Sequence, residues 1–165
     1  MQQGQIVLVD TNIIIEAFRT RCWKALTAYY RVETVEKRCE EALTGDRRRP
    51  GYVEVNAKAL KEKLIVHRVA SLELAELTLS CPDADALDAG ERQLFAHAYK
   101  RTDGWIVTCA DRAAVRIALT LGWKGRIVSL EVLGKPTGAK PALKHHFTED
   151  WLSQVRTDFT LGNLG

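Results

Sequence analysis

The stretch QIVLVDTNIII, residues 5–15, decides how the chain is read. Ile6–Val9 is an unbroken apolar run of β-formers, the pattern of a strand buried on both faces. It runs straight into Asp10. From Asn12 a helical pattern begins, with Ile14, Phe18, Cys22 and Ala25 recurring along one face to about Ala28. Delivering a carboxylate to the end of a buried strand is costly unless the charge is compensated. Two explanations are open. Asp10 caps the helix that follows, or it is one member of an acidic site whose other members lie further along the chain.

The alternation of strand and helix continues outward from this stretch. Residues 29–33 read as a short strand, and Thr34 as the N-cap of a helix to about Leu43, with Lys37 where a capping box places Glu. TGDRRRPG, 44–51, is a loop by its Gly, Pro and Asp content, and 52–55 is a short extended piece. Residues 56–64 and 71–79 read as helices, with IVHRV between them fitting no single class, and CPDADALDAG is an irregular turn. Glu91–Lys100 is helical, Trp105–Thr108 a strand, Arg112–Leu121 a helix and Arg126–Val128 a strand. KPTGAKPALKHH then forms a linker to an amphipathic tail around Trp151, Leu152 and Val155. Apolar strands alternating with helices predict an α/β fold, a single three-layer domain with a central, mostly parallel sheet flanked by helices. Residues 1–134 would form its body, and 135–165 a linker and tail packed on the same domain. Such sheets bind ligands beyond the carboxyl ends of their strands, beside a topological switch point. Asp10 sits at one such end, and Asp111, after WIVTCA, at another.

Composition narrows the function classes. At 165 residues, with 46% hydrophobic and 27% charged side chains, the chain can bury a real core and is not a disordered polyelectrolyte. A net charge of +3 is too small to establish a nucleic-acid partner on its own. No window reaches the ~20 apolar residues of a membrane helix, and no signal peptide is evident. Cys22, Cys39, Cys81 and Cys109 are widely spaced without a CxxC pair, so buried thiols in a reducing cytoplasm are expected.

Each candidate acid has a structural explanation. Asp10 and Asp111 fit N-caps, Asp88 and Glu91 in DAGE fit a capping box, and Glu40 beside Glu41 fits a solvated helix face. What these explanations leave out is the gathering of the acids at the functional edge of the sheet. Grouped carboxylates repel one another and drift upward in pKa unless a cation sits among them. Oxygen ligands without Cys or His select Mg²⁺ or Mn²⁺. Such an ion activates water and neutralises a phosphodiester under attack. The chemistry is that of a metal-dependent phosphodiesterase.

IVLVDTNIIIEAFR resembles the opening of the PIN-domain nucleases, which include the toxin ribonucleases of bacterial toxin–antitoxin pairs. LDAGERQLFAHAYKR is similar to the family's central acid-bearing helix, and WIVTCADRAAVRIALTLGW to its closing strand, Asp and helix. The resemblance spans most of residues 5–133. It implies that Asp10, Glu91 and Asp111 hold Mg²⁺ or Mn²⁺, together with a fourth acid from TVEKRCEEAL. Glu36, Glu40 and Glu41 are all offered there, and the family spacing, six residues after Thr34, selects Glu40. Asn12, Asp88 and Thr108 would support the site, Asn12 by hydrogen-bonding Asp10 or the backbone. RNA as substrate and an antitoxin protein as partner follow from the resemblance alone. The sequence departs from the family where Thr or Ser commonly stands two residues before the closing Asp: Cys109 takes that position, and Ala110 replaces a frequent second Asp. These departures motivate an alternative, a catalytically weak RNA- or protein-binding module on the same fold.

Other motifs add little. No GxGxxG or Walker A is present, and Asn12 removes the general acid a haloacid-dehalogenase-type phosphatase needs. No receiver-type arrangement of acids can be placed. His67, His97, His145 and His146 show no ligand spacing, and the last two read as solvated surface. Arg47, Arg48 and Arg49 with Tyr52 could line the rim of an acidic pocket, where arginines grip phosphate and an aromatic ring stacks a base. The apolar helices within 56–80 raise the expectation of a homodimer.

Overall fold

The computed structural model describes residues 1–45, 48 and 50–162. Among them, β1 (Ile6–Val9), β2 (Arg31–Val35), β3 (Ile65–His67) and β4 (Trp105–Thr108) form one all-parallel sheet in the order β3-β2-β1-β4. The helices are α1 (Thr11–Arg19), α2 (Trp23–Tyr29), α3 (Glu36–Leu43), α4 (Ala57–Lys63), α5 (Ser71–Ser80), α6 (Ala89–Tyr99), α7 (Arg112–Thr120), α8 (Leu130–Gly134) and α9 (Glu149–Thr160). The expected α/β architecture is present, with the sheet wholly rather than mostly parallel.

Side chains alternate across β1 as a two-residue period requires. Leu8 joins Val107, Leu94, Phe95, Ile117 and Leu152 on one face. Val7 and Val9 join Ile13, Ile14, Leu26, Leu60 and Leu130 on the other. Both faces are covered, which is why the strands read as continuous apolar runs. The chain steps outward from β1 to β2 and β3, then returns across the sheet to β4 on the opposite side of β1. The switch point therefore lies between the carboxyl ends of β1 and β4, where Val9 pairs with Thr108.

Several elements differ from the sequence expectation. The helix expected over 12–28 is two helices, broken where Arg21 takes a left-handed φ of 60° and the Thr20 hydroxyl bonds back to the Glu16 carbonyl. The apolar periodicity hides this break because Phe18 and Trp23 stack across it, centroids 5.3 Å apart. The second strand runs two residues further than expected. Thr34 lies inside it, and its hydroxyl donates to the Val9 carbonyl at 2.7 Å instead of capping α3. IVH becomes the edge strand β3. Residues 126–128 contribute only a single bridge, Val107 to Ile127; Arg126 there lies over the Trp105 ring and donates to the Trp105 carbonyl.

The four cysteines are buried and unbridged. Trp151, Leu152 and Val155 of α9 join the core on the Leu8 face, so the tail packs on the sheet-bearing body. The segment before it is tied down by the buried Glu16, which accepts from Lys144 N at 3.0 Å and from Arg19, which in turn donates to the Ala142 carbonyl. Burial raises the Glu16 pKa, but the Arg19 and Lys144 donors outweigh it and leave the carboxyl below its ordinary value. Among the described residues no helix is long and apolar enough to cross a membrane.

Candidate active site

Asp10 follows β1 directly and is almost fully buried, 1% exposed. Its Oδ1 accepts from Ile13 N at 2.7 Å, so Asp10 does cap α1. The capping role and a role in the site are not exclusive. Oδ2 is buried too and has no partner. Asp111 caps α7 in the same way, accepting from Ala113 N at 2.7 Å and Ala114 N at 3.1 Å. Asp88 caps α6 through Glu91 N at 2.8 Å, which sets Glu91 in the first helical turn, 6% exposed.

The acids from three separate elements feel one another. Burial pushes the Asp10 carboxyl up to about 6, against the opposing Ile13 amide, Arg38 and Ala110 amide, and the Asp111 charge adds a smaller rise. Burial likewise pushes Glu91 up to about 7, reinforced by Asp88 and Asp111 and opposed by Arg38. Burial, with the same carboxylates adding to it, holds the Cys109 thiol well above its ordinary value, so it stays neutral. Thr108 is buried with its hydroxyl unpartnered. Asn12 is exposed, and Ile13 N rather than Asn12 provides the bond to Asp10.

Glu40 is not brought to this place. It is exposed, pairs with Lys37 at 3.4 Å, and lines an open apolar cleft of about 520 Å³ with Glu36, Leu43 and Val66. The helix α3 begins at Glu36 and turns residues 38 and 41, rather than 36 and 40, toward the acids: Arg38 meets Asp88 and Glu91, and Glu41 meets Thr11. Glu41 accepts from the Thr11 hydroxyl at 3.0 Å and from Arg38 at 2.8 Å. Glu40→Ala should therefore change stability by less than about 0.5 kcal/mol, whereas Glu41→Ala, which strips a charge-assisted acceptor from Arg38, should cost about 1–3 kcal/mol. Urea unfolding of the two variants checks this, and equal effects would reverse the assignment of faces.

Arg38 is the member that sequence reasoning missed. It is 4% exposed, and its guanidinium reaches Glu41 at 2.8 Å, Asp88 at 2.9 Å and Glu91 at 3.4 Å. Gly90 makes room for it: a Cβ there would lie 2.7 Å from Arg38 Cδ and Nε. That glycine in a helical first turn, where Ala is the better former, was the available signal. Arg38 Nε remains buried without a partner.

Asp10, Glu91 and Asp111 offer only oxygen, burial raises the pKa values of the first two, and Asp10 Oδ2 has no hydrogen-bond partner. Oxygen donors are the class that a hard divalent ion takes, but among the described residues it is Glu33, His67 and His97, not these three acids, that bring one donor atom each within 4.8 Å of one another. Of the basic loop, Arg48 is exposed and Tyr52 is half-buried beside Gly45. Arg47 and Arg49 lie outside the described residues. Compared with known proteins, the chain matches no family model and no curated protein sequence.

Proposed function

We propose that the chain is a Mg²⁺- or Mn²⁺-dependent endoribonuclease that hydrolyses phosphodiester bonds at Asp10, Glu91 and Asp111, with PIN-type organisation. The observation that carries this reading is the buried, unpartnered Asp10 Oδ2 beside two further acids at the switch point of a parallel sheet. When bound, the ion would supply charge neutralisation at the phosphodiester and a more acidic water. Backbone amides aim the two strand-end acids: Ile13 N fixes Asp10, and Ala113 N and Ala114 N fix Asp111. Glu91, with a pKa near 7, can hold or release a proton close to neutral pH. Arg38, paired with Glu41, Asp88 and Glu91, balances part of the acidic charge.

RNA rather than DNA, and an antitoxin protein as partner, belong to this reading through the resemblance to toxin ribonucleases. The expectation of a second copy rests on α5, where Leu72 and Leu79 are 68% and 83% exposed. One observation favours the alternative, a binding module that cleaves weakly: Arg38 already ion-pairs with Glu91 in the site.

Cleavage of a labelled RNA separates the two readings. Chelation should abolish cleavage, and Mg²⁺ or Mn²⁺ should restore it better than Zn²⁺. Full cleavage in excess chelator would contradict the metal mechanism. RNA binding without cleavage under any metal would favour the module.

A further inference from the structure

A second cluster lies where β2 meets the edge strand β3 and α6. Glu33 on β2 is fully buried, paired in register with Leu8 and Ile65. His67 comes from the edge strand β3 and His97 from α6. One donor atom from each lies within 4.8 Å of the other two. The two imidazoles stack with centroids 4.2 Å apart. His67 Nε2 is already 2.8 Å from Glu33 Oε2. His97 Nε2 turns toward the same oxygen through a shared neighbour, Arg101 Nη1, which is 3.0 Å from His97 Nε2 and 2.6 Å from Glu33 Oε2. A cationic group thus occupies the point where the three donors converge.

We propose that Glu33, His67 and His97 form a binding site for a borderline divalent cation of the Zn²⁺ class, with Arg101 as the internal cation that the metal displaces. Two imidazole nitrogens and one carboxylate oxygen form the ligand set of an open tetrahedral zinc centre, and imidazole disfavours Mg²⁺. Ligands about 2.0–2.1 Å from a tetrahedral zinc sit a little over 3 Å apart, so the donors, now within 4.8 Å of one another, must close in and the stacked imidazoles must splay to aim at one point. Glu33 Oε1 has capacity to spare: Arg31 Nε lies 2.7 Å away but is not aligned to donate, and the oxygen has no hydrogen bond. Glu73 stands 3.9 Å from His97 Nδ1, on the side of the ring away from the metal, where a carboxylate orients a ligating imidazole. For an ion to enter, the planar Arg101 guanidinium must swing out as a whole, and the exposed Asp103, which holds its Nε and Nη2 at 2.9 and 2.6 Å, can move with it. The side chains of His67 and His97 are 28% and 14% exposed, which gives an ion a way in beside the edge strand. Bound metal would fasten the three-residue edge strand β3 to β2 and α6.

Titration of the metal-free full chain with Zn²⁺, and with Co²⁺ as its visible surrogate, tests the proposal. The wild type should bind Zn²⁺ saturably and give a tetrahedral Co²⁺ absorption band. His67→Gln and His97→Gln should each lose the band, and Glu73→Gln should weaken binding about 10–100-fold. Arg101→Gln should tighten it about tenfold, the worth of one charge-assisted hydrogen bond no longer lost. Asp111→Asn should leave it unchanged, which keeps this site separate from the strand-end acids. Should a histidine variant fail to fold, the wild type suffices: Zn²⁺ should shield His67 and His97 from carbethoxylation, read by peptide mass. Absence of Zn²⁺ binding, binding untouched by both histidine variants, or no shielding would overturn the site.

Discussion

Asp10→Asn is expected to cut metal-dependent RNA cleavage at least about 100-fold while leaving the fold intact. Asn caps a helix about as well as Asp, so the bond from Ile13 N at 2.7 Å survives in the variant. What disappears is the charge on Oδ2, the buried oxygen without a partner. Loss of that charge also relieves the metal-free protein. The folded Asp10 carboxyl has a pKa near 6 against an ordinary 3.8, and Glu91 near 7 against 4.5. A raised folded pKa means that the folded chain holds its proton longer than the unfolded chain does. Stability is then unaffected below the ordinary pKa, falls as pH rises through the window between the two values, and levels off above the folded value. For these buried groups the loss is on the order of 3 kcal/mol each. Asp10→Asn should therefore raise the melting temperature of metal-free protein near neutrality, have little effect in acid, and gain less than wild type from Mn²⁺. Thermal melts across pH, with a cleavage assay on the same samples, check all of this. Unchanged cleavage would remove Asp10 from the site and leave it as a cap.

Arg38→Met should have the opposite effect on stability. Arg38 is buried and faces Glu41, Asp88 and Glu91 within 3.4 Å. Removing one partner of a buried ion pair typically costs about 3–5 kcal/mol, because the remaining charges are left uncompensated. The deficit should shrink in acid, where the carboxyls protonate. It should also shrink in Mn²⁺, since an ion among the same acids replaces the lost positive charge, so the variant should gain more from Mn²⁺ than wild type does. A deficit that neither acid nor Mn²⁺ relieves would mean that Arg38 acts by packing alone.

Asp10, Glu91 and Asp111 were legible in the sequence because each sits at a junction spelled out within about ten residues. An apolar run ends and a capped helix begins. The parallel sheet was legible for the same reason. The facing of α3 was not, because it shows only in contacts with residues distant in sequence, Thr11 on Glu41 and Asp88 and Glu91 on Arg38. Arg38 reads as a solvated helix residue until Gly90, on another helix, is seen to open the space it fills. The Glu33, His67 and His97 cluster comes from three elements with no ligand spacing along the chain. Its one local hint was a charged residue in the middle of an apolar strand. The break between α1 and α2 escaped because Phe18 and Trp23 carry the apolar face across it.

The most direct measurement is calorimetric titration of metal-free protein with Mn²⁺ near neutrality, in two buffers of different ionisation enthalpy. Near neutrality Glu91, with a pKa near 7, is partly protonated and Asp10, with a pKa near 6, much less so, and an ion must expel those protons. Saturable binding with net proton release is predicted, the release shrinking as pH rises above these values, and both signals should be lost or greatly weakened in Asp111→Asn. Absence of saturable binding, or an isotherm that Asp111→Asn leaves unchanged, would contradict a metal site at the carboxyl ends of β1 and β4.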